Sequence, residues 1–155
     1  MFGVEKITVT EDVALITFEN MVSDTKAISL IFESFAGAGI NVDMISQTAP
    51  YRNHISLSFT VSNSDFSKAL KVFTSLRETS VGVKPLINTS NTKLSLYGKE
   101  MAEIPGVASK AFSAVSEAAG QISLITTSEF DISLLVSNEY AQTALQALNK
   151  TFAME

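Results

Sequence analysis

The chain contains two copies of one unit, and this duplication constrains its fold more than any other feature. FESFAGAGIN (32–41) laid over FSAVSEAAGQ (112–121) brings the apolar and small positions into coincidence. Each copy then runs into an apolar stretch with a polar residue at its second position, VDMISQ after Asn41 and ISLITT after Gln121. Further on, HISLSFTVSNSDFSKAL (54–70) answers DISLLVSNEYAQTAL (131–145) through a shared I-S-L, V-S-N and A-L.

Within each copy the period of the apolar residues alternates between that of a strand and that of a helix. Ile55, Leu57, Phe59 and Val61 alternate with Ser56, Ser58 and Thr60, the pattern of a strand packed on one face and wet on the other. Phe66, Ala69, Leu70 and Phe73 then fall on one side of a helix, with Asn63 or Ser64 as its N-cap. Ile28, Ile31, Phe32 and Phe35 form another helical face, ending at Gly37 and Gly39. Val107, Ala111, Val115 and Ala118 repeat that face in the second copy, where Pro105 suits a first helical turn.

Each copy therefore reads strand, helix, strand, strand, helix, strand. This is a ferredoxin-like split βαβ unit of an α+β fold, with an antiparallel sheet and helices on one face. Copy one predicts strands at 13–18, 41–47, 54–61 and 80–86. Copy two predicts strands at 93–97, 121–126 and 131–136, then a helix, and lacks a fourth strand. Residues 4–10, where Ile7 and Val9 alternate with Lys6, Thr8 and Thr10, form a strand that copy one does not need. An unpaired sheet edge invites aggregation, so this leading strand is expected to cross over and complete the second sheet. The expected domains are 11–88, and 89–155 with the strand at 4–10.

A chain of 155 residues suits one ordinary domain or two small ones, and the repeat decides for two. With 46% hydrophobic and 17% charged residues, there is material for two cores and no sign of disorder. Units this small bury little surface, which predicts a shared interface or a dimer. A net charge of -5 with scattered Lys and Arg argues against nucleic acid and anionic membranes as partners. The absence of cysteine removes disulfides, thiolate metal sites and a cysteine nucleophile. The opening residues lack a signal-peptide pattern and no apolar run reaches the length of a membrane span, so the expected location is cytoplasmic.

Catalytic chemistry finds little footing. Any triad or histidine metal cluster would have to be built around His54, the single histidine, which reads as an ordinary hairpin residue. Gly98-Lys99 is followed by Glu100, and no glycine stands five positions before Gly98, so the phosphate-loop pattern fails. Asp12, Asp24, Asp43, Asp65 and Asp131 are scattered, without a close carboxylate pair for acid/base work. No catalytic residue, metal or cofactor is expected, and a non-enzyme is the default. The turn MAEIPG (101–106) before the helix at Val107 is different: backbone N–H groups at a helix N-terminus favour an anionic group such as an amino acid's carboxylate.

GINVDMISQ (39–47) and TTSEFDISLLV (126–136) resemble segments of the aspartokinase regulatory region. There the first ACT unit carries I-N-[IV]-D-M-[IV]-x-Q, and the second carries M-I-S-T-S-E followed by I-S-V-L-[IV]. Gly98, Met101, Pro105, Gly106, Val107 and Ala108 resemble the second unit's G-x-x-M-x-x-x-P-G-V-A loop. Ser64-Asp65 followed by Lys68-Ala69-Leu70 resembles the family's S-D-x-x-x-A-L helix start. The resemblance covers essentially the whole chain and implies the same interleaved topology as the strand count.

It also implies a function. In that family the paired units bind lysine, threonine or both between ACT units of two chains, and the effector feeds back on the kinase. Carried over by position, the implied ligand contacts of the first unit are Asn41, Val42, Asp43 and Gln47. Those of the second are Met101, Pro105, Gly106, Ala108, Gln121, Ile122, Ser128 and Glu129. Asn41 and Gln47 offer donors and acceptors, and Asp43 or Glu129 could face an ammonium. The implied partners are free lysine or threonine, a second copy of the chain in a homodimer, and an aspartokinase catalytic chain. The expected roles are an amino-acid sensor, a regulatory β-subunit, or an interaction module that has lost its ligand. The chain departs from the family where P-D-K-P-G-x-A is usual: it reads MVSDTKAIS (21–29), with Lys26 near the glycine position. Gln121 likewise replaces the usual asparagine, and a Lys- and Gly-rich kinase segment is missing, so aspartate phosphorylation by these residues is not expected.

Overall fold

A computed structural model describes residues 2–79, 84–118 and 120–154. In chain order the elements are β1 (Lys6–Val22), α1 (Thr25–Gly37), β2 (Asp43–Gln47), β3 (His54–Ser62) and α2 (Phe66–Arg77). There follow β4 (Leu86–Tyr97), α3 (Val107–Glu117), β5 (Ile122–Thr127), β6 (Asp131–Ser137) and α4 (Asn138–Thr151). Short 3-10 turns at Asn63–Asp65 and Met101–Glu103 precede α2 and α3. The chain divides into a first compact unit, Val13–Thr89, and a second made of Met1–Asp12 with Ser90–Glu155.

In the first unit the strands lie in the order β2-β3-β1-β4, the ferredoxin-like arrangement. β1 and β3 run antiparallel from Val13 opposite Ser62 to Val22 opposite His54. Alternate residues face one way along a strand, so Ala14, Ile16 and Phe18 join Ile55, Leu57, Phe59 and Val61 on one face. There they are covered by Ile31 and Phe35 of α1 and by Ala69, Val72, Phe73 and Leu76 of α2. Phe59 lies at the centre, its ring 5.1 Å from Phe35, 5.2 Å from Phe32 and 6.3 Å from Phe18.

The second unit repeats the order as β5-β6-β4-β1, with the leading part of β1 in the fourth place. The Glu5 N–H donates to the Tyr97 carbonyl at 2.8 Å. Val4 is fully buried in a core with Leu94, Leu96, Met101, Val107, Leu134 and Val136. The opening strand thus completes the second sheet, as strand counting required. The duplication also extends to detail: Thr17 opposite Ser58 and Ser95 opposite Ser133 hold the same register position, each pair hydroxyl to hydroxyl.

Several local expectations are corrected. The strands expected at 4–10 and 13–18 are one continuous strand, β1, which turns at Asp12 (φ 56), a residue type whose short polar side chain tolerates left-handed backbone. The strand expected at 80–86 begins only at Leu86 and continues through the predicted 93–97 as β4. Residues 80–83 of that expectation lie outside the described residues. Asn41 and Val42 belong to a loop, β2 starting at Asp43. Ser62, not Asn63 or Ser64, caps the turn before α2 by accepting from the Ser64 N–H, and α2 itself starts at Phe66 without a side-chain cap. Leu70 is 47% exposed, because the buried stripe of α2 runs through Val72 and Leu76. Pro105 stands before α3, whose N-cap is Gly106.

Candidate functional site

The two units differ where each enters its first helix. At α1, Asp24 in extended backbone accepts from the Lys26 N–H at 3.0 Å, so the helix N-terminus is satisfied by its own carboxylate. At α3 the N-cap is Gly106 in left-handed backbone (φ 91), and no side chain caps the helix. The first N–H groups of a helix have no partner within it, which leaves the second unit's lead-in loop able to receive an external acceptor. Removing the Asp24 cap has a calculable cost: Asp24→Ala is expected to lower stability by about 1 kcal/mol, read as a shift of the urea midpoint.

The loop from Gly98 to Gly106 is held at one end of the second sheet. The Gly98 N–H donates to the Phe130 carbonyl at 2.9 Å, tying it to the turn between β5 and β6. Met101 is buried beneath the loop, Pro105 and Gly106 are exposed, and Ala108 is half-buried on the first turn of α3. Ser128 and Glu129, both exposed, lie in that same turn. Gln121 and Ile122 stand at the opposite end of β5, a six-residue strand about 20 Å long. The first unit is split in the same way: exposed Asn41 and half-buried Val42 precede β2, and exposed Asp43 and Gln47 mark its two ends. β2 and β5 are each the outermost strand in the order, and each exposes an isoleucine, Ile45 and Ile125. Within one chain, then, Met101, Pro105, Gly106 and Ala108 share an end with Ser128 and Glu129, whereas Gln121 and Ile122 do not join them.

One cavity lies by the α3 lead-in loop and another by the turn between β2 and β3. The first, of about 350 Å³, is lined by Gly3, Val4, Glu5, Lys99 and Glu100, and here a Glu5 carboxylate oxygen accepts from the Lys99 N–H at 2.5 Å. The other, of about 430 Å³, is lined in the first unit by residues including Glu19, Asn20, Thr48, Tyr51 and His54. His54 holds its Nδ1 2.9 Å from the Arg52 carbonyl. Reading the sequence missed Glu5, Lys99, Glu100, Glu19 and Tyr51, since no local pattern links a residue to a loop 94 positions away. Among the described residues, no group of three His, Cys, Asp or Glu could hold a metal ion, and no helix is long and apolar enough to cross a membrane.

Comparison with known proteins agrees with the duplicated fold. A family model described as ACT domain matches residues 19–76 and 94–152. An aspartokinase of Pseudomonas aeruginosa is 31% identical over 153 residues, covering 96% of this chain and 36% of its own length. The chain therefore spans about a third of that relative. Among solved structures, the ligand-free regulatory subunit of aspartate kinase from Thermus thermophilus superposes with a TM-score of 0.89 at 29% identity, covering 97% of this chain and 99% of that one. A structure of aspartokinase alpha and beta subunits matches with a TM-score of 0.87 at 28% identity, covering 97% and 99%. With two copies of one βαββαβ unit, each under its own match to the family, this chain belongs to the ACT domain family and is built as a tandem pair resembling the aspartokinase regulatory region.

Proposed function

We propose that the chain is an amino-acid-binding regulatory protein, taking lysine or threonine at ACT interfaces between two copies in a cytoplasmic homodimer. The observation that carries this reading is the entrance of α3, where a left-handed glycine is the N-cap and no side chain caps the helix, whereas Asp24 caps α1. An amino acid's carboxylate is the group such an entrance favours. The separation of the candidate contacts supports a second copy. Gln121 and Ile122, or Asn41 and Asp43, reach a lead-in loop only if an edge strand pairs with one from another chain, and β2 and β5, the outermost strands in the order, are placed for that. Edge pairing would also cover Ile45 and Ile125. The ACT units of this proposal are 11–88, and 89–155 completed by 4–10, a division supported by the two compact units. Within it the ligand contacts are Asn41, Val42, Asp43 and Gln47 together with Met101, Pro105, Gly106, Ala108, Gln121, Ile122, Ser128 and Glu129. No bond-making chemistry is assigned to any of these residues.

The occupied site is that of the second unit. In the first unit the Asp24 carboxylate already takes the Lys26 N–H at the helix entrance, which leaves less for a ligand. Isothermal titration with lysine and threonine should show binding, and Gly106→Ala should weaken it by about tenfold, or 1.4 kcal/mol. Added at φ 91, the methyl strains the loop, although nothing lies within 4 Å of it. Titrations that stay flat with every protein amino acid would remove the sensor reading. A ligand changes assembly only through its difference in affinity for two arrangements, so sedimentation with and without the bound amino acid measures the regulatory step.

A regulatory β-subunit of an aspartokinase is the second reading. It is supported by the fold match to the Thermus thermophilus regulatory subunit. Co-purification with an aspartokinase catalytic chain would separate it from an independent sensor.

A further inference from the structure

The opening residues 2–5 do more than add a strand. They lie across the whole lead-in loop of α3. The Glu5 N–H bonds to the Tyr97 carbonyl and the Glu5 carboxylate receives the Lys99 N–H, so this one residue grips the chain on both sides of Gly98. Gly3 sits against the loop so closely that a Cβ on it would meet Ile104 Cδ1 at 3.0 Å, Val107 Cγ2 at 3.6 Å and Met101 Cα at 3.8 Å. Val4 fills the core beside Met101 and Val107. The Phe2 ring lies under Lys110 of α3, with Nζ 4.3 Å from its centre. Loop, helix start and opening segment are thus bound as one piece, whereas the α1 entrance is organised locally by Asp24.

We propose that residues 2–5 form a strap that holds the lead-in loop in its ligand-competent shape, with Glu5 as a positioning residue acting through the Lys99 N–H. The assignment rests on the amino-acid site proposed above and specifies how that site is regulated. Glu5 holds Lys99 by its backbone N–H, whose direction sets the course of the chain into the turn at Met101, one of the candidate contacts. Coupling is reciprocal: a ligand seated on Met101, Gly106 and Ala108 tightens the strap, and a loosened strap weakens the ligand. A site 94 residues from Glu5 along the chain is thereby linked to the segment that begins β1.

The test uses the full chain with Glu5→Ala and the milder Glu5→Gln, which keeps an acceptor oxygen but loses the charge. Amide hydrogen exchange is followed at residues 99–104, with Lys26 as an internal control, and lysine and threonine are titrated into each variant. Glu5→Ala should speed exchange in the loop by about tenfold, leave Lys26 unchanged and weaken binding by a similar factor, with Glu5→Gln between. In the unaltered chain, ligand should slow exchange at both Lys99 and Glu5. Unchanged loop exchange in Glu5→Ala overturns the strap. Faster exchange with unaltered affinity overturns the positioning role, because the loop would then be held without shaping the site. If the unaltered chain binds none of the amino acids, the sensor reading fails instead, and loop exchange alone decides whether the strap exists.

Discussion

Gly98→Ala is expected to lower the stability of the protein by about 3 kcal/mol. An added Cβ would lie 1.7 Å from the Gly3 carbonyl oxygen, 2.9 Å from the Gly3 carbonyl carbon and 3.4 Å from the Val4 Cα. All three are backbone atoms, so no side chain can swing aside, and the opening segment has to lift. Lifting it exposes Val4, worth about 1.5–3 kcal/mol of apolar burial, and breaks the Glu5 to Tyr97 hydrogen bond, worth about 1 kcal/mol net. Urea denaturation checks this through the midpoint, and Gly106→Ala is the comparison, since its Cβ meets nothing and only the left-handed backbone objects. A midpoint equal to that of the unaltered protein would mean that the two glycines do not cross in solution.

The second large effect belongs to the first unit. Phe59→Ala should cost about 3–5 kcal/mol, the range for deleting a large aromatic side chain from a closed core. Phe59 is fully buried, and its ring touches three other phenylalanines. Their rings cannot collapse into the void without giving up their own contacts. Phe59→Leu should cost about 1–1.5 kcal/mol, because leucine already serves at the equivalent place: Phe59 lies opposite Ile16, and Leu134 lies opposite Leu94. Against a net stability of about 5–15 kcal/mol for a typical native protein, the alanine variant should lose a large share and the leucine variant a small one. Near-equal denaturation midpoints for the two would show that the aromatic cluster is loosely assembled.

The type of almost every element was legible because hydrophobic period is a local property. Ile55, Leu57, Phe59 and Val61 read as the inner face of a strand and are that face; Val107, Ala111 and Val115 read as a helix stripe and are buried together. The ends of elements were less legible. Leu70 was expected on the buried side of α2, because helical spacing alone leaves the phase of a wide apolar stripe open by a residue or two.

Duplication and strand arithmetic were enough, from the amino-acid order alone, to require that the opening strand leave its own copy and finish the other sheet, since a missing fourth strand would leave an edge of unpaired backbone. What only the tertiary structure decided is where that strand's forerunner rests. Gly3 against Gly98 and Glu5 on the Lys99 N–H are contacts across most of the chain, set by how a completed sheet places its ends. Likewise, the position of Gln121 and Ile122 at the far end of β5 from Ser128 and Glu129 follows from strand length and direction once paired. Periodicity reports which side of an element meets water; it carries no distance between elements, and a binding surface is made of those distances.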